Sequence, residues 1–380
     1  MKKAIASIVI LLLNAAILGG CATSGSTLPP SPTATPPSPT ITTAASPSLS
    51  SSTPEPVQLS TDIPDVAIDP NEYMDYSDTS MHEDADNLYT IGFEDGKYPL
   101  CAISKKTGEI TKIAGDIYEF TYSKGYIFWI EFKATDADGN GEFKTLYRYD
   151  VKTKANQLVK KFKKTLYGLI EKDEKLYLLY ERYTDEEQMQ NGIDWFSDLY
   201  SLNSKGSGMC KVIDDAYVVA SYKGRLYTTR NTEFGENVDE YDPASGNDRE
   251  VTRGEAYNSY FAIGYGKLFY DDLGDSLIMT DLKTLQETEL AKIKEDAFAV
   301  LGQYLFYITM EEPDFVMAYD IQNGKKYRVA QIGSGDGYTP LKSTRYNIYI
   351  HTGEDEDAIT GLYRIVIEGG KGRLEKVVKQ

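Results

Sequence analysis

The stretch LYRYDVKTKANQLV (146–159) writes a strand, a tight turn and a second strand, and the chain repeats that plan in LYSLNSKGSG (199–208), IMTDLKTLQET (278–288) and MAYDIQNGKKYRV (317–329). An apolar–aromatic pair recurs with it: Leu88-Tyr89, Ile127-Phe128, Leu176-Tyr177, Leu226-Tyr227, Leu268-Phe269, Leu305-Phe306 and Ile348-Tyr349. The steps between pairs are 39, 49, 50, 42, 37 and 43 residues. After each pair come a variable loop, a third strand, a short turn rich in Lys, Gly, Asn or Asp, and a closing strand. Four strands in each such period is the signature of an all-β fold, the β-propeller. Seven units are countable, so the spacing predicts seven four-stranded blades. Six blades with an irregular N-terminal cap is the alternative, because the first unit lacks an obvious inner strand and NEYMDYS (71–77) is the best candidate for it.

The pair has a physical reason in this fold. Adjacent residues of a strand point to opposite faces, and each propeller blade is packed on both faces by its neighbours. Leu or Ile then fills one inter-blade gap and Tyr or Phe the other. Blade packing accounts in the same way for most of the 30 tyrosines. The ring has to close, since an open end would expose an apolar face and a sheet edge.

The pattern over residues 86–380 resembles that of extracytoplasmic bacterial lipoproteins carrying a propeller of the low-density-lipoprotein-receptor type. The residues that carry the resemblance are GRLYT (224–228), GKLFY (266–270) and LYRYD (146–150), with IMTD (278–281) standing nearest to the YWTD signature of those propellers. The resemblance implies an extracytoplasmic propeller without an assigned activity. The Gly-His and Trp-Asp signatures of WD40 repeats are absent, and two tryptophans are too few for a Trp-docked quinoprotein propeller.

The N-terminus is of another kind. Lys2 and Lys3 precede the apolar run IASIVILLLNAAIL, and Leu18-Gly19-Gly20-Cys21 comes after it. This is a secretory signal over residues 1–20, too short and wrongly flanked for a stable span. LGGC resembles a lipobox, which makes Cys21 the lipidated first residue of the mature chain and places the protein on the extracytoplasmic face of the cell membrane, held by that anchor alone. Of residues 22–60, twenty-seven are Ser, Thr or Pro and only Glu55 is charged. Such a segment cannot bury enough apolar surface to order itself. Residues 21–60 therefore read as a stalk with a reach on the order of 100 Å at ~3.1 Å per residue, and residues 61–380 as the propeller. Cys101 and Cys210 sit in strand-like apolar context and read as buried thiols rather than a disulfide. A formal charge of −18 argues against a nucleic-acid partner.

Charge sorts by rim. Loops after second strands hold Asp185, Glu186, Glu187, Asp271, Asp272, Glu311, Glu312, Glu354 and Asp355, with hardly any base among them, whereas turns after third strands carry Lys152, Lys205, Lys283 and Lys325. An acidic rim of this kind attracts a basic partner or a cation. In one loop Asp136, Asp138 and Asn140 alternate as in the first half of a calcium loop, with Gly141 at the sixth position and Glu142 or Glu131 available to complete the shell. The closing Glu of the full motif is replaced by Tyr147, and the same residues also suit an ordinary Asx–Gly turn.

Catalytic signatures are scarce: HExxH, CxxC and GxSxG are all missing, and GSGDG (333–337) lacks the Lys-Ser/Thr of a phosphate loop. His82 and His351 are the only histidines, and ring closure would bring their blades together, although two exposed, unrelated side chains is the plainer expectation. The sequence thus points to a surface-anchored binding or scaffold module engaging a basic envelope protein or a glycan through its acidic rim, and more to a non-enzyme than an enzyme. A propeller lyase or hydrolase acting on polysaccharide and a solute-binding lipoprotein are the rival readings. The last ranks below the others because propellers usually offer only a shallow funnel.

Overall fold

The computed structural model describes residues 62–77, 81–94, 96–134, 141–182, 197–231, 236–252, 256–272, 275–310, 314–332, 341–351 and 361–378. The signal, Cys21 and the stalk lie outside the described residues. A short 3-10 turn (Pro70–Glu72) and β1 (Asp75–Tyr76) precede a run of antiparallel four-stranded meanders. The first consists of β2 (Met81–Glu83), β3 (Asn87–Ile91), β4 (Pro99–Ser104) and the start of β5 (Ile110–Ser123). The second is the end of β5 with β6 (Tyr126–Ala134), β7 (Gly141–Asp150) and β8 (Ala155–Lys161). The third is β9 (Leu166–Lys172), β10 (Lys175–Glu181), β11 (Ser197–Asn203) and β12 (Cys210–Ile213). The fourth is β13 (Ala220–Tyr222), β14 (Arg225–Asn231), β15 (Glu236–Asp242) and β16 (Asn247–Glu250). The fifth is β17 (Ala256–Gly264), β18 (Lys267–Asp272), β19 (Ser276–Asp281) and the start of β20 (Glu287–Leu301). The sixth is the end of β20 with β21 (Tyr304–Thr309), β22 (Phe315–Asp320) and β23 (Lys326–Gln331). The seventh is β24 (Leu341–Ser343), β25 (Ile348–His351), β26 (Leu362–Glu368) and β27 (Lys371–Lys376).

The turns are built by particular residues. Between first and second strands, Lys124-Gly125, Asp173-Glu174, Lys223-Gly224 and Tyr265-Gly266 all have positive φ at both positions, from 46° to 82°. That is the two-residue turn whose twist matches the flanking strands. Between third and fourth strands, the side chain that ends the third strand builds the turn. Asp150, Asp281 and Asp320 each accept through Oδ1 from the backbone N–H groups two and three residues on. Asn203 accepts through Oδ1 from the N–H groups of Lys205 and Ser207, two and four residues on. The recurrent Asp of LYRYD, IMTD and MAYD is therefore an Asx-turn residue.

The apolar–aromatic pairs divide between gaps as strand geometry requires. Leu88 packs with Tyr349 and Leu362 of the seventh meander, whereas Tyr89 packs with Phe120 and Trp129 of the second. Ile127 shares the gap of Tyr89, and Phe128 lies in the next with Leu176. Tyr177 and Leu226 share the following gap, Tyr227 and Leu268 the one after, then Phe269 and Leu305, then Phe306 and Ile348. Each apolar cluster thus joins two successive meanders, and the last joins the seventh to the first. Each fully buried Leu or Ile contributes ~1.5–3 kcal/mol, so every gap is a substantial seam and the ring has no open apolar face among the described residues.

Two expectations need correction. The segment 71–77 is not the inner strand of the first meander; β2 takes that place, and β1 pairs with β13 of the fourth meander. Only one of the two thiols is buried: Cys101 is, and Cys210 is half-exposed.

Candidate functional site at the channel mouth

Residues 62–77 form a strap over the face that carries the first-to-second strand turns. Ile63 bridges Gly370 of the seventh meander. The Tyr304 hydroxyl donates to the Pro64 carbonyl (3.1 Å), and Gln303 holds both the Asp65 carbonyl and the Ala67 N–H (3.1 and 2.8 Å). Asp69 caps the 3-10 turn by accepting from Asn71 N (2.9 Å), with Pro70 at its first position. Glu72 then accepts from the Tyr222 hydroxyl, from Lys223 Nζ and from the Tyr265 backbone N–H (2.6 Å). The strap is thereby fixed to the sixth, fifth and fourth meanders in turn.

Beyond Glu72 the chain enters the centre of the ring. β1 pairs with β13 through Asp75↔Ser221 and Tyr76↔Ala220, and Ser77 N donates to the Val219 carbonyl (2.9 Å). Strand alternation sends the two side chains of β1 to opposite sides. Tyr76 turns into the gap between the fourth and fifth meanders, edge-on to Tyr260 and Phe261 (5.4 and 5.5 Å). Its neighbour Asp75 turns the other way, into a cavity of about 380 Å³. Tyr73 and Asp75 of the strap, His82 of the first meander, Glu171 and Lys172 of the third and Arg345 of the seventh line it.

Three carboxylates around the cavity are committed to structure. Glu83, whose side chain is 0% exposed, pairs with Lys105 Nζ (2.6 Å). It also accepts from Asn347 Nδ2 (2.9 and 3.0 Å), the Tyr349 hydroxyl (3.2 Å) and the Thr344 hydroxyl. It is the polar clasp between the first and seventh meanders. Asp84 accepts from the N–H groups of Asp86 and Asn87 (2.8 Å each) and from the Tyr89 hydroxyl (2.6 Å). Glu171 accepts from the Glu174 N–H (2.8 Å) and closes its own turn.

The other charges facing the cavity differ from these. Burial raises the Asp75 carboxyl to a pKa of about 6, against the pull of Arg345 and Lys172, with Glu171 adding to the rise. Among the described residues neither Arg345 nor Lys172 makes an ion pair; the Arg345 guanidinium lies over the Tyr73 ring at 5.3 Å. Burial raises the Tyr73 hydroxyl far above its usual range. His82 is 5% exposed, packs edge-on to Phe120 (5.2 Å), and leaves Nε2 without a hydrogen-bond partner among the described residues. Burial lowers its pKa to about 4, so at neutral pH the ring is uncharged.

The acidic rim looks different from its sequence. Asp271 is 1% exposed and belongs to the interior, and Asp272 accepts from Ser276 N (2.8 Å) to close its own turn. Glu94 pairs with Lys112 (3.2 Å), Glu142 with Lys144 (3.6 Å) and Asp314 with Lys294 (2.6 Å). Bases from within the strands accompany these three acids, since Lys112, Lys144 and Lys294 stand in β5, β7 and β20. Asp185, Glu186, Glu187, Glu311, Glu312, Glu354 and Asp355 lie outside the described residues, as do Asp136, Asp138 and Asn140 of the calcium loop. Among the described residues no three His, Cys, Asp or Glu side chains converge as a metal ion requires.

His82 and His351 lie in neighbouring meanders yet do not act together. His82 faces the channel mouth, whereas His351 sits at the end of β25 remote from the turn at Thr344–Asn347. Both are buried rather than exposed: His351 is 8% exposed, and burial with Lys342 nearby lowers it to about 4. The residues that converge at the mouth, Asp75, Lys172 and Arg345, escaped the sequence reading. One signal was present. The turns before β3 and β25 span three and four residues where most others span two, and the longer one carries Arg345.

No protein-family profile matches the chain, and no curated protein matches it. Among solved structures, an oligogalacturonate lyase in complex with manganese aligns with a TM-score of 0.54 at 14% identity, over 82% of this chain and 92% of that one. A nidogen/laminin complex (TM-score 0.42, 10% identity, 67% and 90% covered) and TolB from Acinetobacter baumannii (0.43, 12%, 64% and 65%) align less well. At such identities the likeness speaks for the fold alone. The chain is a β-propeller, and no family within that fold is assigned to it.

Proposed function

We propose that this chain is a tethered binding module of the cell exterior whose working site is the channel mouth, where it captures a small polar ligand. The observation that carries the reading is the set of uncommitted charges in one cavity. Asp75, Lys172 and Arg345 face the same space, while Glu83, Asp84 and Glu171 beside them are spent on turns and on the ring seam. Asp75 is desolvated with no hydrogen-bond partner among the described residues, which is costly, and a ligand cation that pairs it recovers that cost. The volume falls at the low end of small-molecule sites, which run from ~300 to 1,000 Å³. In this reading the signal (1–20) is removed, Cys21 carries lipid, and residues 21–60 hold the propeller off the extracytoplasmic face of the membrane. Capture through the acidic rim has less to carry it, since most of its acids lie outside the described residues and Asp271 and Asp272 are buried and turn-capping respectively.

The test is a thermal-shift panel of amino acids, short peptides, sugars and sugar acids against the full chain in detergent. A ligand at 100 times its Kd stabilises by ~2.7 kcal/mol. The expected result is a rise in Tm with at least one compound, lost in Arg345→Ala. A shift that survives in that variant, or no shift with any compound, overturns the reading. Turnover of a polysaccharide would favour an enzyme instead.

A further inference from the structure

Resting on that reading, we infer that the channel mouth recognises a small zwitterion, an α-amino acid or short peptide with a free ammonium and a free carboxylate. The geometry points there because both signs of charge converge on one cavity from different elements. Asp75 arrives on the strap, held in place by the pairing of β1 with β13 and by the three donors on Glu72. Lys172 and Arg345 arrive from the third and seventh meanders. Neither cation is paired, and no hydrogen bond reaches the Asp75 carboxyl from the described residues. An anion alone would satisfy the cations but face Asp75 and Glu171, and a cation alone would face Lys172 and Arg345. A ligand carrying both charges meets a partner for each.

The buried, unpartnered Nε2 of His82 adds an independent sign of a vacant polar site. A neutral ring offers it as an acceptor for a further ligand N–H, given that Nδ1 is engaged by the Phe120 carbonyl. Tyr73, lying under Arg345, supplies an aromatic wall.

The experiment is isothermal titration of the full chain at neutral pH with five probes: alanine, alanylalanine, N-acetyl-alanylalanine, alanylalanine amide and maltose. Alanine or alanylalanine should bind, and each capped dipeptide at least tenfold more weakly than the free one. In Asp75→Asn the penalty for the N-acetyl cap should vanish while that for the amide remains; in Arg345→Gln the pattern should reverse. Affinity for the free probe should also fall below about pH 6, where Asp75, faced by Arg345, Lys172 and Glu171, takes up a proton. Capped and free dipeptides binding equally would overturn the zwitterion. Binding of maltose alone, lost in Arg345→Gln, would overturn it and leave the channel-mouth reading standing. Silence of all five probes would overturn it too, and the wider panel would then decide the fate of the binding reading.

Discussion

Replacing Glu83 with alanine would test whether the ring depends on one polar clasp. Its buried carboxylate receives donors from Thr344, Asn347 and Tyr349 of the seventh meander and pairs with Lys105 of its own. A net hydrogen bond is worth ~1 kcal/mol and a charge-assisted one ~1.5–3. Truncation would also strand the Asn347 and Tyr349 donors and the Lys105 charge beside an apolar seam. Breaking a buried pair from one side costs ~3–5 kcal/mol, and that range is the expected loss. The control is Glu368→Ala, which removes an exposed pair with Arg373 (3.0 Å) and should cost ~0–1 kcal/mol. Equilibrium urea unfolding of the parent and both variants measures the two losses. Equal losses, or less than ~1 kcal/mol for Glu83→Ala, would refute the claim that the clasp secures the seam.

The two buried histidines set an acid limit. Their folded pKa values near 4 lie below the ordinary 6.5, so the unfolded chain binds more protons between those values. Stability should be full above pH 6.5 and fall as pH drops toward 4, and His351→Gln should flatten that fall; Asp75, raised from 3.8 to about 6, works against it between those values and offsets about one of the two histidines. Gly302→Ala should cost ~1–3 kcal/mol by thermal melt, because φ is +54° and a Cβ would lie 2.5 Å from the Ala67 carbonyl oxygen, lifting the strap. Glu174→Gly should raise stability by up to ~1 kcal/mol, since Glu174 holds a φ of 66° in a two-residue turn where three of the others place Gly. Equal or lower urea midpoints for that variant would count against the turn argument.

The fold was legible because its repeat is written locally. Leu88-Tyr89 and its six counterparts state, in adjacent letters, which gap each side chain fills, and the Asp of LYRYD marks its own turn. The inner strand of the first meander was not legible: MHE is only three residues long, and NEYMDYS carries a stronger strand signal while serving as the inserted β1. The site was nearly invisible for a different reason. Asp75, Lys172 and Arg345 stand almost a hundred residues or more apart in the chain, and nothing in their local context separates them from surface charge; only closure of the ring brings them together. The charge of the rim was only partly legible, since counting loop acids says nothing of Lys112, Lys144 or Lys294, which pair with Glu94, Glu142 and Asp314.

Whether the channel mouth is occupied in the cell can be read by native mass spectrometry of the chain released gently from its own envelope. The parent chain should carry a small-molecule adduct, and the double variant Asp75→Asn/Arg345→Gln, isolated in the same way and equally folded, should carry none. The same adduct on both chains, or on neither, would contradict the assignment of the channel mouth as the binding site.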